Sequence, residues 1–578
     1  MKNYQDSLII FITTLVLLFS FYQTNSLVSS HFTHVDDIGV ANTLMNWKLC
    51  DTLDEKREKY MAMPGLKMLY EKIATDQNTC ELLNGVYSYV SVPAHWTYAP
   101  VQFIFTKISL STLDTNTYEA IKYAGRFPSF VFYIFGVLAF VYLLGSKKYL
   151  DYQNVALIAT LLLILGMSLE LRIMASQMES FAIGVLSGVL IFGSMLSLYK
   201  NASFTLKAIF PRSIVMTIGI AMQYQGVFLA LSCMASLFLV DFIVKKKKIA
   251  FKRGLYLAFS MMILSVFYLP FLLKNFGLGV NWNAGPNNTF IVSGSSFFDK
   301  MIDLMRLLSQ ETFYNVYAIF SSVQTDSIYS HVIGLVLVLL FVLGLVQLYQ
   351  TKKNIDNLLV FFVLIFYIAV TIILLLLGAI SFGPTRHSLY HLFPLLLGIA
   401  FGLKWLSSKF SSFWFDIGIF STSLVIALIS LVGFNSFSIQ RNDPLSQKII
   451  SKYFSLVNTD LIISDATELV FFGTVKNRVI NVYERSKYSK FKKAVAGKVF
   501  LQLGIYTKQK SSKLIDEAYA NKFLNSLAMS CGFQDYQMRV ADIQKVYSFE
   551  SPQQIDISNK TQNGGNAIYL YKAKLYIN

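Results

Sequence analysis

Charge is what this sequence has least of. Only 14% of its 578 residues are Asp, Glu, Lys or Arg, where a soluble domain carries about 25%. With 54% hydrophobic residues and a mean hydropathy of +0.51, the chain is excluded from the water-soluble globular class. A soluble fold could not cover so much apolar surface. Cysteine is sparse too: Cys50, Cys80, Cys233 and Cys531 fit no zinc-site spacing. Nucleotide-binding glycine loops, low-complexity tracts and short repeats are missing. What is abundant is aromatic, with 49 Phe and 33 Tyr. The net charge of +17 is poor evidence for nucleic acid, because basic residues of membrane chains collect in cytoplasmic loops.

A helix crosses the bilayer with about 20 apolar residues. Such runs fall near 7–28, 126–145, 155–169, 180–199, 208–222, 226–244, 254–273, 331–349, 358–381, 388–406 and 413–434. The first is followed by Gln23-Thr24-Asn25-Ser26, which has no small-residue cleavage site, so it is expected to be a retained helix. With the N-terminus inside, alternate loops carry Lys147 and Lys148, Lys200 and Lys207, Lys245 to Lys248 with Lys252 and Arg253, Lys352 and Lys353, and Lys404 and Lys409. The opposite short loops carry only Arg172 and Arg386. This asymmetry predicts about eleven spans, N-terminus cytoplasmic and C-terminus outside. Residues 99–113 are apolar but short and contain Lys107; they read as an interfacial helix on the outer face, with a tilted span as the alternative.

The expected organisation is a polytopic α-helical membrane domain over 1–439, with large outer loops at 29–125 and 274–330, and a soluble extracytoplasmic α/β domain over 440–578. In the second loop Phe297, Phe298, Met301, Ile302, Met305 and Leu308 share a helical face, which suits a helix lying in the interface. The tail carries 20 basic and 11 acidic residues. Its net +9 is not explained by positive-inside sorting, and could meet anionic lipid heads or an anionic glycan. Short β-type runs appear at 461–464, 479–483, 499–506 and 567–577, and helical patterns near 444–457 and 511–530.

Polar residues beside apolar segments are informative because hydrocarbon penalises them. Beyond the first span comes Ser30-His31-Phe32-Thr33-His34-Val35-Asp36-Asp37. Paired carboxylates there can deprotonate an incoming hydroxyl or amine, or hold a divalent cation with His34; a solvated turn with an aspartate N-cap is the plainer alternative. Gly125-Arg126-Phe127-Pro128-Ser129 opens a span, where Arg126 can pair with a phosphate or simply anchor the helix. Arg172 and Glu179 are seven residues apart in a short outer loop that includes Gln177; on a continuous helix they share a face and can form a structural ion pair. Arg386-His387 through His391 enters a late span, and two histidines four apart share a helical face. All of these lie on one side of the membrane, as a reaction at the outer leaflet requires.

In order and spacing over residues 1–405, these features resemble GT-C-type glycosyltransferases, in the branch of protein O-mannosyltransferases and the lipid A aminoarabinose transferase. The residues that carry the resemblance are Asp36-Asp37 in the first loop, His95 through Pro100, Arg126-Phe127-Pro128-Ser129, Gln177 through Phe181-Ala182, and Arg386-His387 through Pro394. The chain departs from the family pattern at Asp37, where the second acid is commonly Glu, and at His387, where the family has Tyr. The resemblance implies a polyprenyl-phosphate sugar donor and inverting transfer to a lipid, glycan or protein acceptor at the outer face of a bacterial inner membrane. It further implies Asp36 as base with Asp37 as second acid or ion ligand, and Arg126, Arg386 and His387 at the donor phosphate. His34, His95, Arg172, Gln177 and Glu179 would line the donor or acceptor pocket. The expected partners are the lipid-linked sugar, the acceptor and membrane lipids, with no nucleic acid; a divalent cation at Asp36, Asp37 and His34 is the only cofactor entertained. A polysaccharide polymerase or ligase, or a flippase for lipid-linked sugars, are the rivals; a flippase would place charges at mid-membrane. Cys50 and Cys80 share the first outer loop, where a bridge and two free thiols fit equally. Cys233 is expected to be a packing residue in a span.

Overall fold

The computed structural model describes residues 2–28, 118–264 apart from a few loop positions, 296–320, 328–377, 386–441 apart from 411 and 412, 460–464, 479–481, 495–509, 538–550 and 567–577, with the single positions 108, 292, 380 and 491. They fall into two compact units, one helical and ending at Ser438, the other containing the strands.

The helical unit runs α1 (Lys2–Val28), α2 (Tyr118–Gly145), α3 (Val155–Gly166), α4 (Leu169–Ala175), a 3₁₀ turn at Ser180–Ile183, α5 (Gly184–Lys200), α6 (Leu206–Met222), α7 (Gly226–Val244), α8 (Lys247–Leu264), α9 (Phe297–Phe320), α10 (Ile328–Gln350), α11 (Ile355–Leu376), a second 3₁₀ turn at Arg386–His391, α12 (Leu392–Phe410) and α13 (Phe413–Arg441). Each of the eleven apolar runs overlaps a helix, and positions 265–273 of the seventh run lie outside the described residues. Seven of these helices are long and apolar enough to cross a membrane by length and composition. The other four, α3, α5, α6 and α8, have 12, 17, 17 and 18 residues. Helix α2 begins at Tyr118, and the part of it apolar enough to cross a membrane starts at Arg126, as the sequence suggests.

Lipid is as apolar as leucine, so close packing and hydrogen bonds hold such helices together. Helix α10 packs on α12 through glycines: a Cβ at Gly344 would meet the Gly398 carbonyl, and one at Gly402 the Leu340 carbonyl. Helix α1 buries Ile9, Thr13, Val16, Ser20, Gln23 and Thr24, a stripe at helical spacing. Ile9 and Val16 meet Ala159 and Leu163 of α3 and Leu431 of α13. The Ser20 hydroxyl donates to the Gly166 carbonyl at 2.8 Å, and Gln23 Nε2 to the Leu431 carbonyl at 3.1 Å. At the lysine-bearing end, Asn154 caps α3 and also donates to Asp416 Oδ2 at 2.7 Å, joining α3 to the first turn of α13. At that same end Arg253, read from sequence as a loop charge, is buried and bonded to Asp241 at 2.6 Å. Cys233 is a buried free thiol within α7.

Helix α9 covers part of the second large loop. Leu304 and Leu307 are buried, whereas Phe297, Phe298, Ile302 and Met305 are 57–73% exposed. These four belong to the face expected to rest in the interface. Met301 and Leu308 are half-buried.

The second unit is a five-stranded mixed sheet of order β2-β1-β3-β5-β4. Its strands are β1 (Leu461–Ser464), β2 (Val479–Asn481), β3 (Phe500–Gln509), β4 (Met538–Glu550) and β5 (Ala567–Ile577). Strand β1 is parallel to β2 and β3; β5 is antiparallel to β3 and β4. Tyr571, Ala573, Leu575 and Ile577 of β5 alternate into a core with Leu501, Leu503, Ile505, Phe491 and Val495, the period-2 pattern of a half-buried strand. The sequence reading missed β4. Register shifts between Ala541 and Gln544 and between Lys545 and Tyr547 interrupt its alternation. The helical patterns at 444–457 and 511–530 lie outside the described residues.

Candidate active site

At the end of the helical unit opposite the lysines, α4, the two 3₁₀ turns, and the ends of α1, α5 and α9 pack together. The local sequence explains why α4 is so short. Ser168 caps it by accepting from Leu171 N at 3.3 Å, and its hydroxyl also donates to the Ile319 carbonyl of α9 at 2.7 Å. Ser176 closes the helix, its backbone N–H bonded back to the Ile173 and Met174 carbonyls.

Arg172 stands at the centre of α4 and is fully buried. Its Nε donates to Thr24 Oγ1 at 3.0 Å, and its Nη2 to Gln23 Oε1 at 2.9 Å and the Ser20 carbonyl at 3.3 Å. All three acceptors belong to the last turns of α1. Burial lowers the guanidinium to about 10, still above neutral pH, so it remains a cation. Arg172 therefore clamps α4 onto the end of α1, and the chain leaves that end for the Asp36-Asp37 loop.

The continuous helix that would align Arg172 with Glu179 does not form, because α4 stops at Ala175 and the chain restarts as a 3₁₀ turn at Ser180. The shared face expected of His387 and His391 is also lost. Arg386–His391 is a 3₁₀ turn, with about 3.0 residues per turn. Positions three apart align, and positions 387 and 391 stand about 120° apart around the axis. His391 is buried and bonded through Nδ1 to the Tyr367 hydroxyl of α11 at 3.0 Å, with the Tyr390 ring centroid 3.9 Å away. That bond seats the second turn against α11, one turn of chain beyond Arg386.

Arg126 is buried in α2, beside Pro128 and buried Ser129. Phe132, two turns on, packs with Ile183 of the first 3₁₀ turn and Leu186. The backbones of Arg386 and His387 lie in the second turn. His34, Asp36, Asp37, His95, Gln177 and Glu179, as well as Cys50 and Cys80, lie outside the described residues. Among the described residues no three His, Cys, Asp or Glu side chains come together as metal ligands.

The structure thus brings together the Arg172, Ser180 and Arg386 segments, which are far apart in sequence, and joins them to the end of α1. Sequence reasoning passed over Ser20, Gln23, Thr24 and Ser168. A polar stripe among the apolar residues of α1 was the available signal.

No family model matches the chain, and no curated protein matches it. Among solved structures, the chain is similar to ArnT from Cupriavidus metallidurans in two crystal structures, one in the apo state and one bound to undecaprenyl phosphate. Identity is 10% in each, with 98% of both chains covered and TM-scores of 0.46 and 0.47.

Proposed function

We propose that this chain is a GT-C-type glycosyltransferase. It would move a sugar, with inversion, from a polyprenyl-phosphate donor to a lipid, glycan or protein acceptor at the outer face of a bacterial inner membrane. The observation that carries this reading is the convergence of α4, both 3₁₀ turns and the end of α1 at the lysine-poor end of the helical unit. The Arg386-His387 pair sits in one of those turns, and the Asp36-Asp37 loop departs from α1 close by in sequence. A donor phosphate and an acceptor must meet at one place, and these segments are the ones whose chemistry fits each.

In the reaction the acceptor oxygen or nitrogen attacks the anomeric carbon on the face opposite the phosphate. The anomeric C–O bond breaks, and its electron pair leaves with the polyprenyl phosphate. Asp36 takes the acceptor proton, with Asp37 as the second acid. Arg126, Arg386 and His387 hold the phosphate and stabilise the negative charge that grows on it. Arg172 contributes by position: its bonds to Thr24 and Gln23 fix the end of α1 against α4.

The test is release of polyprenyl phosphate from radiolabelled lipid-linked sugars by the purified protein and its Asp36→Asn variant. The wild type is expected to release it and the variant to lose about 100-fold or more. Equal turnover by the variant would sink the proposed base. Labelling of a Ser446→Cys variant, with Cys50, Cys80 and Cys531 replaced by Ser, from the outer side of intact membranes checks the orientation; labelling only after permeabilisation overturns it.

A further inference from the structure

Gln223 follows the last residue of α6, at the lysine-poor end of the helical unit. It is 2% exposed, and its Nε2 has no hydrogen-bond partner among the described residues. The amide lies against the start of α5: a Cβ built at Gly184 would come 2.5 Å from Gln223 Oε1 and 3.4 Å from Nε2. Only a residue without a side chain leaves room for it, directly after the first 3₁₀ turn. A second buried polar group also lacks a bond. The Tyr390 hydroxyl has no hydrogen-bond partner among the described residues, and its ring packs edge-on to Phe228 of α7 at 5.9 Å. The second 3₁₀ turn, which carries Tyr390, packs on both α5 and the first 3₁₀ turn.

A buried donor without an acceptor is costly, and native folds keep few of them. Two of them, on elements that both pack against α5, indicate a ligand that supplies the missing bonds. Both groups are neutral and directional. An amide N–H and a phenol suit hydroxyl oxygens, which both donate and accept; a phosphate would call for cations.

We propose that Gln223 reads the transferred sugar, its Nε2 donating to a sugar hydroxyl oxygen, with Tyr390 as the second member of the same subsite. This rests on the glycosyltransferase reading and adds the residue that sets sugar specificity. A site that hydrogen-bonds a substrate hydroxyl discriminates strongly against the analogue lacking it.

The test uses the full-length protein in detergent, with polyprenyl-phosphate donors bearing a hexose, its monodeoxy analogues and a pentose. Polyprenyl phosphate release and Tm are measured for the wild type, Gln223→Met and Gly184→Ala. Gln223→Met is expected to lose about tenfold or more in kcat/KM on the best donor. It should also bring one deoxy analogue level with that donor, while Tm holds or rises because an unsatisfied amide has been removed. Gly184→Ala, which displaces the amide without deleting it, is expected to narrow the same discrimination. If Gln223→Met does not fold, the Gly184→Ala result decides alone. Unchanged discrimination in a folded variant of an active enzyme overturns the sugar subsite and leaves the glycosyltransferase reading standing. A wild type inactive on every donor overturns both.

Discussion

The helical unit and the sheet obey opposite rules about exposure. In the sheet the outward positions of β5 are polar or amphipathic, Lys572, Lys574 and Tyr576, and the inward ones are Tyr571, Ala573 and Leu575. In the helical unit the outward positions are the apolar ones: Phe135, Ile429 and Val432 are 52%, 62% and 71% exposed. The buried charges Arg126, Arg172, Asp241 and Arg253 are all in the helical unit, and among the described residues none lies in the sheet. The difference is one of solvent. Water lets a charge stay outside, so the described core of the sheet holds no charged side chain. Lipid does not, so a charge in the helical unit must turn inward and find partners there.

The contrast is sharpest at Asp241. Removing it in an Asp241→Ala variant leaves Arg253 buried without its carboxylate, which is expected to cost about 3–5 kcal/mol. Tm in detergent should fall steeply, and a double variant replacing both residues with Leu should recover most of the loss. Next comes a pair of truncations, one in each unit. Leu575→Ala, which opens a cavity in the sheet core, is expected to cost about 2–5 kcal/mol. Ile429→Ala, which faces lipid, should leave Tm nearly unchanged. Similar losses from both would mean that Ile429 is covered by protein.

Glycine packing gives a third comparison. Gly402→Leu drives a side chain into the Leu340 carbonyl and is expected to cost about 1–3 kcal/mol, while the same change at Gly418, where a Cβ meets nothing within 4 Å, should be silent in the same melt. The smallest effect is expected on the sheet surface. Asp542 lies at a positive φ of 55° and bonds Lys574 at 2.9 Å. Asn tolerates that backbone, so Asp542→Asn removes the ion pair alone. The Asp542 bond raises the Lys574 amine above its usual 10.5. What the pair contributes is therefore complete below that value and lost only as pH rises through the raised one. Wild type and variant should melt alike from pH 6 to 9, because both groups are exposed and water screens them.

Much of the fold was legible in the sequence because hydropathy and periodicity act locally. The apolar runs located the helices, and short β-type runs located β1, β2, β3 and β5. Strand β4 escaped because its bulges break the alternation, and the 3₁₀ turn at Arg386 escaped because a six-residue stretch carries too little period to separate 3.0 from 3.6 residues per turn. The candidate site was legible as residue types on one side of the membrane, and not as contacts. Gln223 drew no notice at all, since a glutamine in the short Gln223-Tyr224-Gln225 connection between two apolar helices reads as a loop residue until its burial is seen.

The sequence by itself determined that this chain partitions into a membrane, where its helices lie, and that a basic sheet-forming segment follows them. Those properties depend on the free energy of moving each short segment out of water. Only the tertiary structure decided that Arg172 clamps α1, 148 residues away from its Thr24 partner, that Arg253 is paired inside, and that Gln223 Nε2 and the Tyr390 hydroxyl are buried without a hydrogen bond among the described residues. Hydrogen-bond satisfaction in a medium without water is settled between distant segments, and no local pattern encodes which ones meet.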